Sequence, residues 1–128
     1  MTTQLTEREQ VESLLKSDVK GPFVMISLFR FRETTANGEV GEHVYARYLG
    51  RAAPFAEKIG ARLLWYGDAR HVFAGTGADA WDRALIVEYP SRTAFGQMYE
   101  MPEYQASLAF RDQALAKLVM LVSDSIGT

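Results

Sequence analysis

From Phe23 to Arg32 the chain reads FVMISLFRFR, apolar at nearly every position, with Gly21-Pro22 before it and TTANGEVG after it. Apolar residues that do not alternate, rich in β-formers, predict a strand covered on both faces. The period then changes. Tyr45, Tyr48, Ala52, Phe55, Ala56 and Ile59 line one face of a helix predicted from Glu42 to Gly60, with Pro54 bending it. ARLLWYGDARHVFAG (61–75) and WDRALIVEYP (81–90) read as two strands joined by a Gly- and Asp-containing turn, a hairpin. Ser91 is placed to cap a helix carrying Ala94, Phe95, Met98 and Tyr99, and Pro102 suits the first position of a further helical turn. LVMLVSD (118–124) supplies a last strand. Ahead of all this, Thr6 and Glu9 have capping-box spacing before Val11, Leu14 and Leu15, which predicts a short N-terminal helix near 6–18.

The expected organisation is an N-terminal helical extension (1–21) and one α+β domain (22–128) with the order βαββαβ. That order is the ferredoxin-like pattern, four antiparallel strands arranged 4-1-3-2 with the helices on one face. Its first strand has two apolar sets. Val24, Ile26 and Leu28 are assigned to the helix side, and Phe23, Met25, Ser27, Phe29 and Phe31 to the side without helices. An exposed apolar face of that size needs a cover, and a second copy packed sheet to sheet provides one. A homodimer is therefore expected.

One helix breaks its own pattern. In MPEYQASLAFR and on to Leu115, the core-facing positions are Tyr104, Leu108, Arg111 and Leu115. An unpaired arginine facing apolar core would cost several kcal/mol, so Arg111 must find a partner, reach an edge or face a pocket. Tyr104 and Gln105 lie close enough in sequence to offer hydrogen bonds.

Composition narrows the function classes. In 128 residues there are 14 basic and 16 acidic side chains, a net charge of −2. Interspersed signs argue against nucleic acid or an anionic membrane as the main partner. A chain of this length buries roughly two-thirds of its unfolded surface, enough for an ordinary core. The absence of cysteine excludes disulfides, thiolate metal sites and a cysteine nucleophile. His43 and His71 have no companion at metal-ligand spacing, so no metal site is expected. No P-loop, GxGxxG or GxSxG motif is present, so no cofactor is expected; the GTG at 75–77 reads as a turn. Apolar runs too short for a membrane span and a polar N-terminus point to a cytoplasmic protein.

Arg30, Glu88 and Arg111 form the candidate catalytic set. Strand pairing brings Arg30 near Asp82, either as a buried ion pair or as a fork for an anionic ligand. Glu88, late in the apolar LIVEY run, would have a raised pKa if buried and could then move a proton, but would be merely solvated at an edge. The candidate ligand contacts are Ser27, Tyr48, Trp65, Asp82, Tyr99, Tyr104 and Gln105, aromatics and polar tips of the kind that line a small-molecule pocket.

SLFRFRE (27–33), EHVYARYLGRAAP (42–54), LLWYGD (63–68), WDRALIVEYPSRTAFGQMYEMPEYQ (81–105) and FRDQALA (110–116) resemble the domain-of-unknown-function-1330 (DUF1330) family. The likeness extends over residues 22–126. It is specific in the combination of PSR-x-x-F, PEYQ and the later arginine. The resemblance implies a dimeric α/β barrel, two ferredoxin-like sheets facing each other around a cavity, and it implies no particular reaction. The family's recurrent polar positions correspond to Arg30, Asp82, Ser91, Tyr104, Gln105 and Arg111. Two positions depart: Phe110 stands where the subgroup often has histidine, and Gly60-Ala61 where it often has two glycines.

Three functions compete on this reading. The chain could be a cofactor-independent enzyme acting on a small aromatic or polyketide-like metabolite, by fold-level analogy. It could be a non-catalytic small-molecule binding module. Or it could be a structural oligomeric accessory protein whose arginines only hold the fold.

Overall fold

A computed structural model describes residues 5–127. The first four residues of the predicted extension, and Thr128, lie outside the described residues. The order is α1 (Glu7–Lys16), β1 (Phe23–Phe31), α2 (Gly41–Lys58), β2 (Arg62–Asp68), β3 (Arg83–Tyr89), α3 (Arg92–Tyr99), α4 (Pro102–Ala114) and β4 (Leu115–Ser123). The strands form one antiparallel sheet in the order β2-β3-β1-β4, as expected from the ferredoxin-like pattern.

Local chemistry sets the helix starts. The Thr6 hydroxyl accepts from the Glu9 amide at 3.1 Å and the Glu9 carboxylate accepts from the Thr6 amide at 2.9 Å, a complete capping box. The Ser91 hydroxyl caps α3 by accepting from the Ala94 amide at 3.0 Å. Pro102 occupies the start of α4, where its missing N–H costs nothing.

Three expectations change. The strand predicted over 61–75 ends at Asp68. Asp68 turns back onto Arg70, whose backbone amide and guanidinium both donate to its carboxylate. The chain then runs through a 3-10 turn at Gly77–Asp79 before β3. The last strand begins at Leu115, directly after α4, so Leu115 is buried as a strand residue and not on the helix stripe.

The third change concerns the faces of β1, which are interchanged. Phe23, Met25, Ser27 and Phe29 are buried beneath the helices, whereas Val24, Ile26 and Leu28 lie on the open face. A strand apolar on both sides has no alternation to reveal which side is inside, and here ring volume decides. The Phe29 ring packs 4.4 Å from Tyr45 of α2, and Phe23 lies 5.5 Å from Tyr89 and 5.9 Å from Phe95.

The open face is still apolar. Ile26 pairs with Ile86 on one side and Leu121 on the other, and Ile86 pairs with Trp65, giving one apolar row across all four strands. Trp65 and Leu121, at the two ends of that row on the edge strands β2 and β4, are 59% and 50% exposed, which is unusual for large apolar side chains. No helix among the described residues is long and apolar enough to cross a membrane.

Candidate functional site

Arg111 finds both a partner and a pocket. Its side chain is 9% exposed, and Nη2 donates to Glu7 Oε1 at 2.7 Å while Nε donates to Asp112 Oδ1 at 3.1 Å. Nη1 lies 3.8 Å from the Met120 sulfur. Burial works against the guanidinium charge, but the hydrogen bond and ion pair with Glu7 outweigh it and hold its pKa above the ordinary arginine value.

The second oxygen of Glu7 is also taken, since Tyr99 Oη donates to Oε2 at 2.8 Å. Burial, then the Glu7 carboxylate, push the Tyr99 phenol up to about 12. Tyr48 and Tyr104 are buried in the same region, and burial raises both phenols. All three phenols are thus neutral at any ordinary pH, and the Tyr99 proton is already given to Glu7.

These groups stand at one end of a cavity of about 680 Å³ between α1, the helical layer and β4. The Arg111, Tyr99, Tyr104 and Glu7 side chains supply polar groups of its wall, along with Gln10, Ser13 and Ser17 from α1 and its end. Much of the remainder is apolar, with Met25, Phe95, Leu118, Met120 and Val122 from the sheet and α3, and Val11 and Leu14 from α1.

The other predicted residues divide. Tyr48, Tyr99, Tyr104 and Arg111 come together, and Gln105 braces them, its amide donating to the Tyr99 carbonyl. Ser27 is buried on the helix side of β1, facing the same layer. Arg30, Glu88 and Trp65 do not join them. Glu88 shares the open face with Val24 and bonds Arg62 at 3.1 Å across the β2–β3 register, so the sheet lies between it and Arg111.

The expected Arg30–Asp82 ion pair does not form. Arg30 donates to the Ala80 carbonyl at 2.9 Å and the Ala78 carbonyl at 2.8 Å and stacks on Trp81, so it fastens the β2–β3 connection. Asp82 instead accepts the Phe31 backbone amide at 2.9 Å. That exchange has a reason: the β1–β3 ladder ends at Phe29 and Arg83, and the Asp82 carboxylate satisfies the next donor on that edge of β1, the Phe31 N–H, which the ladder leaves free.

Phe110 lies outside the cavity, in a shallow groove between α2 and α4, with the Arg51 guanidinium 4.7 Å above its ring. A histidine at this position would face away from Arg111.

Glu7 was invisible as a site residue in the sequence. It lies 104 residues from Arg111 and reads as an acidic residue in the first turn of a capped helix. Arg92 was also missed: it forms a two-pronged pair with Asp124 at 3.0 and 2.8 Å, clasping α3 to the end of β4. Among the described residues no group of His, Asp and Glu is arranged to hold a metal ion.

Replacing Arg111 tests which role dominates. Glu7 is 41% exposed and Asp112 66%, so both carboxylates can turn to water when the arginine is gone. Arg111→Met should therefore leave the thermal midpoint unchanged or higher, since an ion pair replaced by an apolar side chain is often neutral or stabilising. A fall of several degrees by calorimetry would instead make the pair a structural tie.

The family model described as Domain of unknown function (DUF1330) matches residues 40–125. No curated protein matches the chain. Among solved structures, a protein of unknown function from Rhodopseudomonas palustris is 27% identical with a TM-score of 0.87, covering 98% of this chain and 97% of that one. A dimeric ferredoxin-like protein of unknown function from Thermobifida fusca is similar at 21% identity and a TM-score of 0.54, over 82% of this chain and 92% of that one. A putative antibiotic biosynthesis monooxygenase from Caulobacter crescentus is similar at 16% identity and a TM-score of 0.54, over 84% and 92%. The latter two likenesses bear on the fold alone.

Proposed function

The chain belongs to the DUF1330 family, whose description carries no activity, and we propose from the cavity itself that it binds a small molecule with an apolar body and an oxygen-bearing end. The observation that carries this reading is Arg111: a charged side chain 9% exposed that opens onto a cavity of about 680 Å³ with largely apolar walls. Ligand pockets commonly fall between about 300 and 1,000 Å³, with a few polar groups fixing orientation in an apolar lining. Homodimerisation through the open sheet face belongs to the same proposal. It rests on the apolar row from Trp65 to Leu121 and on the dimeric state described for the Thermobifida fusca relative. Two sheets packed through that row would make the dimeric barrel, with each cavity on the outer, helical side of its own sheet.

A second reading is a cofactor-independent enzyme on a small aromatic or polyketide-like metabolite. The converging donors favour it, because Arg111 with the neutral phenols Tyr99 and Tyr104 could hold an enolate oxygen. In this reading Glu7, rather than Glu88, is the carboxylate within reach of the reacting end.

Native mass spectrometry of freshly purified protein tests the proposal. We expect twice the 14.4 kDa chain mass with an added few hundred daltons per chain, about the size such a cavity accepts. A bare dimer that also takes up no apolar probe would sink the binding reading. A mass of 14.4 kDa at micromolar concentration would sink the dimer.

A further inference from the structure

The Glu7 carboxylate is held the way a bound ligand would be. One oxygen takes the Arg111 guanidinium at 2.7 Å and the other takes the Tyr99 hydroxyl at 2.8 Å, at the polar end of an otherwise largely apolar cavity. We propose that Arg111 and Tyr99 form a carboxylate-binding site which Glu7 fills in the free protein, and that the cavity's ligand is a small carboxylate with an apolar body that takes Glu7's place. The inference deepens the cavity reading above and rests on it.

The element that brings Glu7 is built to let go. On α1 only Val11 is buried. Leu15 touches α3 at Gly96, where even a Cβ would meet it at 2.5 Å. The helix's other ties are Leu14, half-buried against the core, and the exposed Arg8, which bonds Glu100 at 2.8 Å and lies 5.7 Å from the Tyr99 ring centre. Arg111 sits in the body of the fold on α4, so it stays behind when α1 moves.

Charge makes the exchange selective. Without Glu7 the buried guanidinium would keep only its contact at 3.1 Å with the exposed Asp112, so a neutral ligand in Glu7's place is disfavoured. A ligand carboxylate replaces one anion with another, and the freed Glu7 goes to water. Because Glu7 competes from within the same chain, it lowers the apparent affinity by the fraction of molecules in which α1 is docked.

The probes are 3-phenylpropanoate and its neutral amide, 3-phenylpropanamide, titrated calorimetrically into the full chain and into Glu7→Gln and Arg111→Met. The carboxylate should bind Glu7→Gln at least about tenfold tighter than the unmodified protein, and Arg111→Met at least about tenfold weaker. The amide should change by less than about threefold across the three. Hydrogen exchange on the unmodified protein gives an independent readout: the carboxylate at saturation should speed exchange in α1, and the amide should not. If the amide binds but Glu7→Gln gives the carboxylate no advantage, or α1 exchange is unmoved at saturation, the displacement idea is overturned while the cavity reading stands. If neither probe binds any of the three proteins, the cavity reading itself fails and this inference with it.

Discussion

Gly41→Ala is expected to lower stability by about 3 kcal/mol and the thermal midpoint by about 10 °C, measured by calorimetry on the purified variant. A Cβ at Gly41 would stand 2.1 Å from the Arg32 carbonyl oxygen and 2.8 Å from that of Ala114. Both are backbone atoms at the end of a strand and the end of a helix, so neither can swing aside as a side chain would. The crossing is also hydrogen-bonded. Gly41 N donates to Arg32 O at 3.1 Å and Arg32 N donates to Ala114 O at 2.8 Å, tying the ends of β1 and α4 to the first turn of α2. Moving one segment to admit a methyl group would strain both bonds. Gly50 is the matched control, since it lies mid-helix on the exposed side of α2 with nothing within 4 Å of its Cβ position. Gly50→Ala should gain roughly 0.5–1 kcal/mol from helix propensity alone. Equal midpoints for the two variants would mean that the three-way crossing yields more easily than backbone packing allows.

The elements that were legible in the sequence are those whose signals are local. Thr6 with Glu9, Ser91 before α3, and Pro102 at the start of α4 each satisfy or spare backbone groups within one turn. Strand order followed from the chain's alternation of strands and helices. What failed was non-local. Nothing in FVMISLFRF says which apolar set faces the helices, because that depends on how rings from β1, α2 and α3 share one space. Arg30 and Asp82 do lie close together as the strand pairing implied, but each found backbone groups with stronger claims. For the site, the arginine on the helix stripe was a sound signal, because a charge in an apolar stripe has to be answered. Its answer, Glu7, carried none, since an acidic residue at a helix N-terminus is adequately explained by the helix dipole. Glu88 misled for the complementary reason: Leu85, Val87 and Tyr89, which made it look buried, point to the helix side with Ser27, Met25 and Phe23, whereas Glu88 stands on the face with no helices over it.

That face carries the second large expectation. Ile26→Asp should convert the proposed dimer to a monomer, raising the dissociation constant at least about a thousandfold. Ile26 lies on β1, a central strand, and pairs with Ile86 and Leu121, so its side chain stands in the middle of the apolar row. In a two-fold sheet-to-sheet contact one substitution enters the interface twice. Each carboxylate would be buried among Ile, Leu and Trp, and the open-face cations are engaged elsewhere: Arg62 with Glu88, Arg30 with the Ala78 and Ala80 carbonyls, and Lys117 over the Trp81 ring. In a monomer the same carboxylate faces water, so the fold itself should survive and far-UV circular dichroism should be retained. Val19→Asp is the control, an apolar residue 47% exposed in the α1–β1 connection and away from the sheet. Sedimentation equilibrium at micromolar concentration separates the outcomes. A dimer for both variants would move the contact off this row, leaving Trp65 and Leu121 in need of some other cover. A monomer for Ile26→Asp and a dimer for Val19→Asp would fix the interface on the open sheet face and leave each cavity, with its Arg111 and Glu7, within a single chain on the opposite side.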